Sequence, residues 1–416
     1  MNRPAFRLCA ALLGCVVALQ ARAAIAQFFG MGSFGMGDGM SSMGTCGNCG
    51  GPCSCRGDGS VFGNQSFGQQ PVYVPEDGVV VLDDPGSFGA GVAGMMSGFG
   101  PRGMGAGCLC KPPAWAHRHV VFGEFLYLRP RDAELVYAAP VDGPTTPPGN
   151  PADPGNQVGP LGMINPDYDP GFRLGFAWAM NDCTSVLVTW THLETSTSDH
   201  LFAEPGNFVQ SQVTHPGVLN AADNWQVAEA NYDIDYELLD FDYRTLVTHS
   251  DLYAVNVLGG LRYGRLEQRF DSVFSINGSR SVDTGITFDG LGLKAGVDAE
   301  RYIRCTGFYA YGKSTASVLA GEMRASFFQR SSFANREIDT RWEAGRIVTI
   351  VDLELGVGWR SRCDRFRLAA GYLFSAWFNT LQTDEWIDAV NANHFTNLGG
   401  EAMTFDGVVA RAEYRF

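Results

Sequence analysis

The last ten residues, Gly407 to Phe416, read GVVARAEYRF. Side chains alternate between the two faces of a strand. Val408, Ala410, Ala412, Tyr414 and Phe416 therefore share one apolar row, while Val409, Arg411, Glu413 and Arg415 share a mostly charged one. A soluble sheet would bury the apolar row against a core. Repeated through an exported chain, the same pattern describes strands that face lipid outside and water inside.

Export is written at the other end. Arg3 and Arg7 precede an apolar run from Leu8, and Ala24-Ile25-Ala26 before Gln27 forms a small-residue cleavage site, so 1–26 reads as a signal peptide. The alternative, lipoprotein processing at Cys15, has a very short apolar run before it. Beyond the signal no window of eighteen apolar residues occurs, so no spanning helix is predicted. The net charge of -14 argues against a nucleic-acid partner.

Residues 27–116 are low-complexity Gly, Met, Phe and Ser without helix or strand period, and are expected to form a disordered periplasmic extension. Gly30–Gly35 and Gly98–Gly103 match GxGxxG, but neither follows a strand nor opens a helix, which nucleotide binding requires. Cys46, Cys49, Cys53 and Cys55 crowd together, with Cys108 and Cys110 further on. They lack the two separated pairs of a zinc knuckle, so neither metal nor cofactor is expected. Cys183, Cys305 and Cys363 fall at short turns on the side expected to carry the extension, and bridges from them to its cysteines, or to an envelope partner, are one reading. Unpaired turn cysteines are the other.

From 117 to 416 the period is two. Strands are read at Val120–Arg129, Gly171–Met180 and Thr184–Leu193, around Leu239–Arg244, Tyr253–Tyr263 and Gly290–Asp298, and from Thr306, with three more to the end. This makes an all-β, transmembrane, antiparallel up-and-down barrel of ten strands, or twelve if Asp199–Asn231 hides another hairpin. Connections near Asn181, Ser250, Tyr302 and Arg362 are short, and those after Arg129, Leu193, Glu267, Gly321 and Thr380 run from roughly sixteen to forty residues, the alternation of periplasmic turns and outer loops.

The inward rows nominate a lumen lined by Arg173, Asp240, Asp242, Lys294, Asp352, Glu354, Arg360, Arg367, Arg411 and Glu413, with Glu124 and Arg415. Such charges screen passing solutes in an open barrel. In a narrow one they pair and plug it, and ten strands with inward Tyr309, Tyr311 and Trp377 lie near the filled end of the range. His192, His200, His215 and His394 are read as solvated rim residues, and no local spacing specifies a nucleophile, base and orienting acid, so no enzyme is expected. Asn165, Asp167 and Asp169 read first as a turn, with calcium as the rival.

The stretch from Trp115 to Phe416 resembles the Legionella-type major outer membrane protein family, including planctomycete-like members. The resemblance is carried by Gly123–Arg131 (GEFLYLRPR), Pro166–Arg173 (PDYDPGFR), Gly259–Tyr263 (GGLRY) and Gly407–Phe416. It implies a porin-like, pore-forming outer-membrane barrel. In contact with lipid, the barrel is expected to pass small hydrophilic solutes or ions passively and weakly selectively, with a homo-oligomer left open. The alternative function is a closed structural barrel that anchors the envelope or displays adhesive loops.

Overall fold

The computed structural model describes residues 113–143, 155–218, 224–304, 306–332, 334, 336–396 and 398–416. The expected signal peptide, the Gly/Met/Cys segment up to residue 112, the two GxGxxG matches and Cys305 lie outside them.

In chain order the elements are β1 (Val120–Arg131), β2 (Leu135–Asp142), β3 (Gly162–Ile164), β4 (Asp169–Asn181), β5 (Thr184–Phe202), β6 (Asn207–Ser211) and β7 (Val227–His249). They continue with β8 (Tyr253–Ser275), β9 (Ser279–Tyr302), β10 (Phe308–Ser331), β11 (Ile338–Arg360), β12 (Phe366–Thr380), helix α1 (Thr383–Asn391) and β13 (Glu401–Arg415). Ten strands close an antiparallel barrel in the order β1-β13-β12-β11-β10-β9-β8-β7-β5-β4. The seam joins the first strand to the last, from Val120 opposite Arg415 to Arg131 opposite Thr404. Gly407 sits where a Cβ would collide with the Tyr127 carbonyl, so a side chain there would push the seam open. No described helix is long and apolar enough to cross a membrane, and strands do the crossing.

The outward rows form a belt of exposed apolar side chains. On β11 it runs from Trp359 through Val357, Leu355 and Leu353 to Ile347. At about 3.3 Å per residue and a tilt of 35–45° this is roughly 30 Å of height, the thickness of a hydrocarbon core. Tyr127, Trp178, Trp190, Tyr263 and Trp359 are among its exposed aromatics.

Above the belt the strands do not stop. The stretches after Leu193, Glu267 and Gly321, expected to be long loops, continue as strand to Phe202, Ser275 and Ser331. The hairpin from β8 to β9 turns within the three residues Ile276–Gly278. The period of two persists there while the polarity reverses. Tyr232, Ile234 and Tyr236 are buried inside, and charged Glu229, Asp233 and Asp235 alternate with them. The Asp199–Asn231 segment adds no barrel strand. Its β6 instead pairs with β2, which pairs with β3, in a separate three-stranded sheet. Leu135, Tyr137, Ile164 and Val209 of that sheet join one continuous buried cluster with barrel residues Tyr232, Phe270, Phe274 and Phe327, and with Trp386 of α1. The long-strand half of the barrel is therefore packed like a soluble core and roofed by sheet and helix.

Candidate functional site

Inside the belt the barrel holds charge rather than hydrocarbon, in two layers. The middle layer is built from inward positions of nine strands. Glu124 of β1, whose side chain is fully buried, accepts from Arg173 of β4 at 2.6 Å and from Arg411 of β13 at 2.5 Å. Glu354 of β11 receives Arg173 at 3.2 Å and the Tyr311 hydroxyl at 2.9 Å. Across the lumen Arg262 of β8 grips Asp240 through two nitrogens, at 2.6 and 3.0 Å, and reaches Asp352 at 2.6 Å. Lys294 of β9 bridges Asp240 and Asp242, both at 2.7 Å. Ser375 and Thr315 donate to Asp352 at 2.6 and 2.9 Å. A forked guanidinium satisfies two carboxylates at once, which is why arginine dominates this layer.

The lower layer lies at the end bearing the short turns, the periplasmic end of such barrels. Arg367, 1% exposed, reaches Glu300 at 3.0 Å, Asp364 at 3.0 Å and the Ala114 carbonyl at 3.1 Å. Arg415 pairs with Glu413, and Arg244 with Asp298 at 2.6 Å. The Arg360 guanidinium lies 4.7 Å from the centre of the Tyr302 ring. Both tyrosines of the lower β10 row find room over glycine: a Cβ on Gly358 would strike the Tyr309 ring, and one on Gly371 the Tyr311 hydroxyl.

Residues just before β1 occupy the mouth itself. Ala114 is held by Arg367 and lies 3.2 Å from the Tyr302 hydroxyl, Trp115 stacks on His249 at 4.0 Å, and the His117 amide donates to Asp182 at 2.9 Å. Ala114–Ala116, expected to close the extension, are held against the barrel mouth. The His117 ring spans Ser185 and Asn256, each at 2.9 Å. Burial, and next the Arg244 charge, hold its pKa below the ordinary 6.5. A serine, an imidazole and an amide in line resemble a nucleophile, base and orienter. The adjoining cavity is about 30 Å³, scarcely more than a water.

The inward row nominated by the sequence thus lies in two places. Arg173, Asp240, Asp242, Lys294, Asp352, Glu354 and Arg411 meet in the middle layer, while Arg360, Arg367 and Glu413 lie below. Sequence reasoning passes over Arg262, the hub of the middle layer, and over Glu300 and His117. The alternation that flags Leu261 and Tyr263 as outward was the signal for Arg262. Cys183 and Cys363 are exposed and unbridged among the described residues. His192 stacks with Trp190 and His394 bonds Thr396. His215, expected in solvent, is instead buried, because its loop folds down onto the barrel and its amide donates to Gln329 at 2.9 Å. Asn165 accepts from Arg129 at 2.6 Å, and no His/Cys/Asp/Glu group among the described residues is arranged to hold a metal.

Residues 110–410 match the family described as Legionella pneumophila major outer membrane protein precursor. The chain belongs to this family. It is accordingly an outer-membrane β-barrel protein. No curated protein matches it. Among solved structures it is similar to the outer membrane protease OmpT of Escherichia coli, at 10% identity and a TM-score of 0.42, over 72% of this chain and 97% of that one. It is also similar to Ail, the attachment invasion locus protein of Yersinia pestis, at 13% identity and a TM-score of 0.19, over 72% and 100%. A Pseudomonas aeruginosa FadL homologue aligns at 9% identity and a TM-score of 0.22, over 73% and 91%.

Proposed function

We propose that this protein is a closed structural barrel of the outer membrane, carrying a rigid collar and roof above the lipid rather than a standing channel. The observation that carries this reading is the filling of the lumen along its whole height. The ion-paired layers are followed upward by Tyr236, Trp377 and Phe405 in mutual ring contact, then by the core under α1. The cavity within the middle layer is about 20 Å³, room for a single water. Ten strands enclose little more than their own side chains can occupy.

Passive passage of small solutes or ions is the second reading. The family resemblance and the mixed charges of the middle layer favour it. It requires the aromatic block to move aside, and breaking buried pairs such as Arg262–Asp240 costs several kcal/mol each. Planar-bilayer recording of refolded full-length protein separates the two. A silent membrane containing heat-modifiable folded barrel is the expected result. Regular single-channel steps from the unmodified protein would replace the closed barrel with the pore.

A further inference from the structure

The exposed arginines at the two rims of the apolar belt keep different company. Above the belt, those of β8, β10 and β11 each meet a carboxylate, as Arg265 meets Glu267 at 2.8 Å, Arg324 meets Asp289 at 2.7 Å and Arg341 meets Asp339 at 3.4 Å. Below it, Arg301 and Arg304 at the β9–β10 turn are exposed, and so are Arg362 and Arg365 at the β11–β12 turn. Asp364 is the one carboxylate in the sequence of either turn, and it is buried, held by Arg367 at 3.0 Å. The Arg304 and Arg365 side chains make no ion pair or hydrogen bond among the described residues.

These two turns touch. The Arg360 amide donates to the Gly307 carbonyl at 2.9 Å, and a Cβ on Gly307 would stand 3.4 Å from the Trp359 indole nitrogen. Four cations therefore share one sector of the periplasmic rim, in a chain whose net charge is -14. In the other sector the exposed carboxylates of Asp182 and Asp251 occupy the β4–β5 and β7–β8 turns. Next to the basic sector, Phe308, Trp359 and Leu368 stand opposite one another across β10, β11 and β12, all exposed on the outer face. Ile303, 56% exposed, lies on the turn itself. Inorganic phosphate would answer the charge and leave this apolar row unused, and a zwitterionic lipid would answer the row and leave the charge. A lipid with an anionic head answers both, because a guanidinium forks onto phosphate oxygens while acyl chains cover the row.

We propose that this sector binds an anionic phospholipid of the periplasmic leaflet, its phosphate held among the arginines of the two turns and its acyl chains on Phe308, Trp359 and Leu368. The assignment concerns the outer face of the barrel and does not depend on whether the lumen conducts.

The test is native mass spectrometry of full-length protein released from detergent micelles carrying phosphatidylglycerol or phosphatidylcholine with identical acyl chains. Phosphatidylglycerol is retained preferentially. Arg304→Gln and Arg365→Gln each lower that preference about fivefold, the usual weight of one basic residue near an anionic lipid surface. Arg324→Gln, which removes an equal charge above the belt, leaves it unchanged. A heat-modifiable gel band confirms that each variant folds, and Arg304→Gln decides alone if Arg365→Gln does not. Equal retention of the two lipids, a preference that survives Arg304→Gln, an equal drop with Arg324→Gln, or displacement of the lipid by inorganic phosphate overturns the proposal.

Discussion

Glu124 shows how much one buried carboxylate holds. Arg173 and Arg411 both end on it, so Glu124→Ala leaves two buried guanidiniums to share the single carboxylate of Glu354. The expected cost is about 3–5 kcal/mol, the range for removing one partner of a buried ion pair. Urea unfolding of the refolded variant reads it, and Glu124→Gln, which keeps the shape and an acceptor, loses less. His117 sets a pH dependence of definite sign. Its folded pKa lies below 6.5, so its contribution is complete above about pH 6.5 and is lost as acid protonates the unfolded chain first. The charges around it, Arg244 and Arg415 against Asp298, leave a net repulsion for the imidazolium. Wild type should therefore lose stability as pH falls below 6.5 more steeply than His117→Asn, compared by urea midpoints at each pH. At this scale the sequence was partly legible. Alternation alone puts Arg173, Lys294 and Arg411 inward, because the period of two needs no partner to be seen. Which charge meets which is decided across the barrel, by strands far apart in sequence. That is why Arg262, joining Asp240 of β7 to Asp352 of β11, went unremarked.

Among the elements, the same strand passes through two solvents, and its outward face records the change. Leu353 of β11 is 41% exposed in the belt, and Ser326 of β10 faces the same way above it. Leu353→Arg should cost about 2–4 kcal/mol in lipid vesicles, the midplane value for barrels, whereas Ser326→Arg should change stability by less than about 0.5 kcal/mol. Folding titrations into vesicles compare the two directly. If both variants behave alike, the belt is misplaced. The belt half of each strand is plain in the sequence because its outward row is apolar and its inward row charged. The upper half inverts that code, as in Tyr232-Asp233-Ile234-Asp235-Tyr236, and a search for apolar outward rows reads it as loop. Helix α1 escapes for another reason. Its apolar face, with Trp386, Ile387 and Val390, spans only two turns and is fixed by the barrel mouth that it covers.

For the whole molecule, the closing contact joins residues almost three hundred positions apart, Val120 with Arg415. Neither edge strand has anything to bond in hydrocarbon until that contact forms. Deleting Gly407–Phe416 should leave no heat-modifiable species on gel electrophoresis, because β1 and β12 then both keep open edges. The order of events follows from where the seam lies. Strands translated early cannot close in the bilayer by themselves, since the partner of β1 follows every other barrel strand in the chain. Such a chain must leave the ribosome entire, be escorted unassembled through the aqueous compartment, and commit to the membrane in one concluding act.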